Sequence, residues 1–227
     1  MRRRAGSGSG SRSTDPYGET RWPMAAAVAV AMGLTAQLPD DLRLAEPWVL
    51  PSTAGLLLVV LIAGDPGRIS RRTTILRASS IALIAVLALA SSWSMVRLVH
   101  DIVTNGPETD SASELLRAGG CVWLGSVIAC ALLYFELDCG GAAARAERMP
   151  RTPDLAFPQQ LTPEVSPEGW RPRFVDYLYL GLTNATAFSP TDVMPLVPWA
   201  KAVMSIQAVT SLGVMALVVA RAVNVLQ

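Results

Sequence analysis

The 227 residues are 51% apolar and only 16% charged, with a mean hydropathy of +0.37, so the apolar runs need a lipid environment before a soluble fold is considered. A formal net charge of +1 gives no strongly basic surface, so no nucleic-acid partner is expected. One histidine and three cysteines without ligand spacing argue against a metal site, and we expect no cofactor. The composition indicates a multi-pass protein of the cell membrane.

Residues 1–21 begin with three arginines and continue with alternating Gly and Ser. They contain little apolar surface to bury, so we interpret them as a flexible basic tail. A secretory signal peptide is the alternative, but the basic region is long and no small-residue cleavage site follows the first apolar run.

Five apolar runs follow the tail. A membrane-spanning helix needs about 20 mostly apolar residues, so the last three runs are long enough and the first two are short. The first three runs predict an N-terminal three-helix membrane region over residues 22–116. The runs are Met24 to Leu38, Trp48 to Ala63, Ile75 to Val99, Ala118 to Leu137 and Ala202 to Leu226.

A connector rich in Pro, Gly and charged residues separates the fourth and fifth runs. Its prolines prevent a long helix. Glu136, near the end of the fourth run, and Asp138, at the start of the connector, could be paired carboxylates for acid–base chemistry, but no nucleophile or second base accompanies them. We therefore interpret them as an interfacial helix end and expect no enzyme.

A short apolar segment, Phe174 to Leu182, predicts a helix. The ten residues that follow it, Thr183 to Asp192, interrupt the apolar sequence with polar side chains. Pro190 removes an amide and biases Ser189 away from the helical conformation. Irregular backbone at membrane depth is tolerated only where it is buried in protein or lines a wet cavity. This interruption is the first place to look for function.

The order of elements and several residues here resemble the pore module of two-helix potassium channels. Tyr179, Thr186, Asp192 and Pro195 match the family pattern without gaps, and further matches are Leu133 to Glu136, Pro198, Ala200, Lys201 and Ala220-Arg221. The resemblance implies a channel-like module over residues 117–227 of a bacterial membrane protein. Its parts are an outer helix at 117–137, a connector at 138–173, a pore-like helix and loop at 174–199, and an inner helix at 200–226.

The module departs from the family at the selectivity filter. Potassium selectivity uses rings of carbonyl oxygens, and glycines allow the backbone angles that aim them inward. Residues 187–191 read Ala-Phe-Ser-Pro-Thr and contain no glycine. The resemblance therefore implies the architecture of a channel with a degenerate filter, and potassium selectivity is not expected.

The predicted site consists of Pro190 and of polar residues in this module. Those at pore or filter positions are Thr183, Asn184, Thr186, Ser189, Pro190, Thr191 and Asp192, and those expected to line the inner helix are Ser205, Gln207 and Ser211. Two interpretations stay open. These side chains either line a small aqueous vestibule or satisfy backbone and side-chain groups within a closed, packed structure.

The predicted fold class is an all-α membrane protein with five transmembrane helices plus a re-entrant or broken pore-like helix, and six transmembrane helices are the alternative. By the positive-inside rule the tail and the Arg-rich loop 65–77 are cytoplasmic, which favours six crossings. The channel resemblance instead makes 174–198 re-entrant. With the inner helix ending inside, it places the Arg-rich loop outside.

Two functions are consistent with these observations. The first is a homo-oligomer in the lipid bilayer, a tetramer if channel-like, that conducts monovalent cations without potassium selectivity, with Asp192 attracting them at the mouth. The second is a non-conducting structural or assembly membrane protein that retains the fold.

Overall fold

The computed structural model describes residues 19–67, 69, 73–104, 106, 111–147, 152–186 and 192–225. Within them the chain forms eight α-helices. The helices are α1 (Trp22–Ala36), α2 (Val49–Gly64), α3 (Thr74–Thr104), α4 (Ala112–Leu137), α5 (Ala142–Glu147), α6 (Pro158–Leu161), α7 (Phe174–Thr186) and α8 (Pro198–Val225). Two strands, β1 (Leu155–Ala156) and β2 (Met194–Pro195), and two 3-10 turns, Asp40–Leu42 and Asp138–Gly140, complete it.

All five predicted apolar runs form helices, and the predicted all-α class is confirmed. Three helical segments are long and apolar enough to cross a membrane, namely Thr74–Thr104, Ala112–Gly140 and Pro198–Val225. Helices α1 and α2 have 15 and 16 residues, which at 1.5 Å per residue is shorter than a hydrocarbon core of about 30 Å. The described residues therefore contain three helices long enough to span a membrane and two shorter apolar helices, which indicates a membrane-embedded protein.

Helices α3 and α4 extend beyond the apolar runs that predicted them. Helix α4 begins six residues earlier than Ala118, at Ala112, where the Ser111 hydroxyl accepts a hydrogen bond from the Glu114 amide at 3.5 Å. Serine is a favoured N-cap because it satisfies an amide that has no helical partner. Apolar runs mark the part of a helix in lipid, so they omit polar turns at its ends.

Helix α4 is the central helix, and it packs against α1, α3, α7 and α8. Its fit with α8 depends on Gly119, where a Cβ atom would lie 2.9 Å from the Val218 methyl carbons. Small residues allow such close approach in lipid, where helix association rests on packing. One core cluster contains residues from both predicted regions, including Met24, Leu83, Leu132, Tyr177 and Met204.

One end of the helix bundle gathers the beginning of α1, the α2–α3 loop, the end of α4 and the connector. We call it the connector end. The Arg21 amide donates to the Gly67 carbonyl at 3.1 Å, and the Ile69 amide donates to the Glu19 carbonyl at 2.9 Å. Residues 1–18 of the predicted flexible tail lie outside the described residues, so that prediction remains untested.

The opposite end holds the α1–α2 loop, the end of α3 and the beginning of α4. The Ser94 hydroxyl donates to the Leu42 carbonyl at 2.8 Å, and Arg97 Nε donates to the Asp41 carbonyl at 3.1 Å. A second apolar cluster, with Leu42, Leu98 and Leu115 fully buried, fills this end. The two ends therefore have separate cores along the bundle.

The chain returns to the connector end after α7. Strand β2 pairs antiparallel with β1, with Leu155 opposite Pro195, and the Leu196 amide donates to the Asp154 carbonyl at 2.9 Å. Sequence did not predict these two-residue strands. Because α7 begins beside the same connector, both the start of α7 and the start of α8 lie at one end.

Helix α7 runs four residues further than predicted. It includes Thr183 to Thr186, which the sequence assigned to the polar interruption. The Thr183 hydroxyl donates to the Tyr179 carbonyl and the Thr186 hydroxyl to the Thr183 carbonyl, at 2.9 and 2.8 Å. A threonine that bonds to the preceding turn is compatible with a helix, so polarity alone did not locate its end.

Candidate functional site

Helix α7 begins with its amides satisfied by two acids. The Arg173 amide donates to Asp176 Oδ2 at 2.7 Å, as in the returning half of a capping box. The Phe174 amide donates to Glu19 Oε1, also at 2.7 Å, from a residue far away in sequence. Burial raises the pKa of the Glu19 carboxyl, whereas the hydrogen bond to Phe174 acts in the opposite direction. The segment before α1 thus positions the start of α7.

A charged cluster anchors the base of α7, formed by Asp138, Arg145 and Tyr177; we call it the base cluster. Asp138 is fully buried at 0% exposure, accepts a hydrogen bond from the Tyr177 hydroxyl and accepts another from the Leu155 amide. Buried carboxylates are costly unless their oxygens are hydrogen-bonded, and both oxygens of Asp138 are. One side chain therefore connects the end of α4, strand β1 and α7.

Arg145 completes the base cluster through carbonyls and rings. Its Nη1 donates to the Phe135 and Asp138 carbonyls at 2.8 and 2.7 Å. Its guanidinium carbon lies 4.9 Å from the centre of the Phe135 ring and 5.0 Å from that of Tyr177. Arginine stacks favourably on aromatic faces, and these bonds also satisfy orphan carbonyls at the end of α4.

A second, neutral cluster lies deeper along α7. Asn184 Nδ2 donates to Gln207 Oε1 at 2.8 Å and lies 2.9 Å from the Met204 carbonyl, and Gln207 Nε2 donates to the Gly181 carbonyl at 2.9 Å. The Tyr134 hydroxyl donates to the same Gln207 oxygen at 2.7 Å. We call Tyr134, Asn184 and Gln207 the amide network. It joins α4, α7 and α8 within one chain.

Gly181 lets α7 approach α4 at the level of the amide network. A Cβ atom there would lie 3.0 Å from the Val127 carbonyl oxygen and 3.4 Å from the Ala131 Cβ. A larger side chain would push the helices apart and lengthen the bond between Gln207 and the Gly181 carbonyl. Close packing and polar bonding therefore depend on each other here.

The predicted pore and filter residues have different surroundings. Asn184 is buried in the amide network, Thr183 and Thr186 bond back to α7, and Asp192 is exposed where the chain returns. Ser189, Pro190 and Thr191 lie outside the described residues. The structure thus assigns Asn184 to helix contacts and leaves Thr186 and Asp192 on the surface.

The three predicted inner-helix residues do not share one face of α8. Gln207 and Ser211 belong to the buried stripe that contacts the rest of the bundle, whereas Ser205 is exposed. Within the described part of the chain the Ser211 hydroxyl has no hydrogen-bond partner. Only Gln207 joins a predicted pore residue, through its bond with Asn184.

Sequence reasoning missed Tyr134, Gly181, Arg145 and Tyr177, and it interpreted Asp138 as an interfacial helix end. A polar or charged residue inside or next to a long apolar run is a signal for a functional or structural partner; Gln207 lies inside such a run and Asp138 directly follows one. Their partners could not be found, because the bonds join residues 39 and 73 positions apart.

A small cavity of about 50 Å³, with a mostly apolar lining that includes three charged side chains, lies at the connector end between α1, α3 and α4. Arg21, Arg77 and Glu136 line it, and the Ser80 hydroxyl donates to Glu136 Oε2 at 3.0 Å. Arg21 is paired with Asp65 at 3.4 Å. This volume holds a few waters at most, and its lining contains both signs of charge, so we assign no ligand to it.

Together the fold and the two clusters define a helical membrane protein in which a short helix enters the bundle beside two long ones. Comparison of the chain with protein-family models, with characterised proteins and with solved structures gave no match. Function must therefore be argued from the arrangement of α4, α7 and α8.

Proposed function

We propose that this chain is an integral membrane protein whose C-terminal part is a degenerate channel-like module that passes cations without selecting potassium. The observation that carries the proposal is the return of the chain: α7 starts at the connector end, and by Met194 the chain is paired with β1 at the same end. A short helix that enters and a chain that leaves on one side is the arrangement of a pore helix and its filter loop.

The proposed membrane arrangement has five crossings, by α1, α2, α3, α4 and α8, with α7 re-entrant. Helices α1, α2 and α7 are all shorter than the hydrocarbon core, but α1 and α2 join the two ends of the bundle, whereas the chain after α7 returns to the end where α7 begins. The pairing of β2 with β1 supports this number over six crossings, because a crossing α7 would place β1 and β2 on opposite sides.

Copies of the chain assemble, in this proposal, around the surface that carries Thr186 and Asp192. Both side chains are exposed within one chain and lie on either side of residues 187–191. A carboxylate at the mouth attracts cations, and a tetramer would bring four copies of Asp192 together.

Cation flux in liposomes tests the proposal. We expect purified protein to carry Na⁺ and K⁺ at similar rates, and Asp192→Asn to reduce both several-fold by removing charge at the mouth. Glu168→Gln is the matched control, since Glu168 is an exposed acid on the connector and should leave flux unchanged. Absence of flux at every voltage and pH tested would remove conduction.

The second candidate is a non-conducting structural or assembly protein, and the amide network favours it. Its hydrogen bonds are completed within one chain, as in polar contacts that hold helices together in lipid. This function predicts that Asp192→Asn and Thr186→Val change the stability of the oligomer in mild detergent but produce no permeability phenotype.

A further inference from the structure

The basic residues of the chain are distributed unequally between the two ends of the bundle. Of the 19 Lys and Arg residues, 15 belong by sequence to segments that join the connector end, namely the tail, the α2–α3 loop with its flanks, the connector and the start of α8, and six of these 15 lie within the described residues. The opposite end has only four, which are Arg43, Arg97, Arg117 and Arg221. From the sequence alone, these segments can be assigned to one side of the membrane only if the number of crossings is assumed. The contacts between the segments show directly that they lie at the same end of the bundle.

Three hydrogen bonds bring these segments together. Glu19 bonds to Ile69 and to Phe174, so the tail, the α2–α3 loop and the start of α7 meet. Leu155 bonds to Asp138, so the connector meets the end of α4. Among the described basic residues of this end, Arg77, Arg173 and Lys201 are exposed. The segments of the opposite end contain seven of the 18 acids, and the segments of the connector end contain the other 11, so by sequence the connector end is net basic and the opposite end net acidic.

We infer that the connector end is the cytoplasmic end of the protein, where its exposed basic side chains face the anionic headgroups of the inner leaflet. Lys and Arg in short loops remain on the cytoplasmic side, whereas acids contribute little to orientation. Anionic lipid attracts basic segments next to the membrane. The positive-inside rule compares the numbers of basic residues on the two sides, and here the connector end has 15 and the opposite end has four.

In the proposed function, on which this step rests, α7 is re-entrant. A cytoplasmic connector end then gives the channel-like module an inverted orientation in the membrane. With five crossings, a cytoplasmic connector end puts the end of α8 outside. The channel resemblance implies the opposite arrangement, with the inner helix ending inside. The mouth marked by Asp192 therefore opens to the cytosol, and cations entering there come from the cytosolic side.

Labelling of single cysteines in intact cells tests the orientation. In a variant with Cys121, Cys130 and Cys139 replaced by alanine, cysteines are introduced at Val165 on the connector and at Leu44 at the opposite end, which are 84% and 45% exposed. Glu168→Cys and Glu46→Cys are second variants at the two ends, in case a first one fails to fold.

We expect a membrane-impermeant maleimide to label the Leu44 and Glu46 variants in intact cells, and to label the Val165 and Glu168 variants only after permeabilisation. The reverse pattern would overturn the inference. Labelling of both ends in intact cells would overturn it as well, because the protein would then insert in both orientations.

A reporter fused to the C-terminus separates this inference from the proposed function. Alkaline phosphatase, which is active only outside the cytoplasm, should be active, and a fluorescent protein that matures only in the cytoplasm should be dark. If the cysteines give the expected pattern but the C-terminus is cytoplasmic, α7 crosses the membrane. The re-entrant module then fails while the cytoplasmic connector end stands.

Discussion

The base cluster and the amide network hold the same helix with opposite chemistry. At the connector end, α7 is fixed by a buried carboxylate and a buried guanidinium, each bonded to groups on other segments. Deeper along the helix only neutral amides and a phenol are used. Charges are far more expensive in the hydrocarbon region than at its edge, so polar groups at depth are neutral.

This difference predicts different sensitivities. A charged cluster is strongly destabilised when one member is removed, since its partners remain buried without it. A neutral network in lipid loses less, because freed groups find other partners in the unfolded state. We therefore expect the base cluster to determine how stably α7 is attached to the connector end, and the amide network to determine the register of α7 against α8.

The largest effect is expected from Asp138→Ala. It leaves the Tyr177 hydroxyl and the Leu155 amide without acceptors, at a cost of about 3 kcal/mol or more. For a chain of this size that lowers the melting temperature by roughly 6 to 12 °C. Thermal melting of the detergent-solubilised protein, followed by size-exclusion chromatography, measures it.

Two variants control for this result. Asp138→Asn keeps one acceptor oxygen and should lose less stability than the alanine variant. Glu168→Ala removes an exposed acid from the same connector and should melt like the unmodified protein. A melting temperature of Asp138→Ala equal to that of Glu168→Ala would show that the base cluster does not anchor α7.

An intermediate effect is expected from Gly181→Ala. The added Cβ would lie 3.0 Å from the Val127 carbonyl oxygen, so α7 must move away from α4. Overpacking of this kind costs about 1 to 3 kcal/mol. The same melting experiment measures it, and Gly181→Ser should be at least as destabilising.

Gly213→Ala is the matched control for Gly181→Ala. It adds the same methyl group within a helix, but no atom of another segment lies within 4 Å of the new Cβ. Alanine is a better helix former than glycine by about 1 kcal/mol, so this variant should be neutral or more stable. Equal losses from both substitutions would mean that the α4–α7 contact is not tight.

Much of the fold was predictable from the sequence because lipid imposes a simple requirement on helix length and polarity. Long apolar runs located five helices, and the inner helix predicted from residue 200 begins two residues earlier, at Pro198. The end of α7 was not predictable, because the hydroxyls of Thr183 and Thr186 bond within the helix instead of breaking it. Polarity predicts where function should be sought, but not whether a residue bonds locally.

The partners within the site were beyond sequence reasoning for a different reason. Asn184 and Gln207 were selected for their polarity at membrane depth, but whether they face water or each other depends on helix rotation. Apolar residues occur on nearly every face of α8, and some of them, such as Ile206 and Val209, are exposed. The hydrophobic periodicity of α8 therefore does not identify the face that points into the bundle. Tyr134 joined them only through the packing of α4.

The smallest effect is expected in the amide network, and a double-mutant cycle measures it. Gln207→Ala and Asn184→Ala should each lower stability by about 1 kcal/mol, within the range found for polar contacts between membrane helices. Because the two side chains share a hydrogen bond, the double variant should lose less than the sum of the single losses. Ser205→Ala, an exposed polar residue on the same helix, is the control and should be neutral.

The outcome of this cycle also bears on the choice between the two functions. If the amides bond to each other in the assembled protein, the coupling persists in the oligomer and cation flux is unchanged by Asn184→Ala. If they instead turn towards a water-filled pathway when copies assemble, their coupling vanishes and flux changes. A coupling energy near zero between Asn184 and Gln207, together with altered cation flux, would show that the hydrogen bonds seen within one chain are not kept in the oligomer. That result would favour the aqueous vestibule.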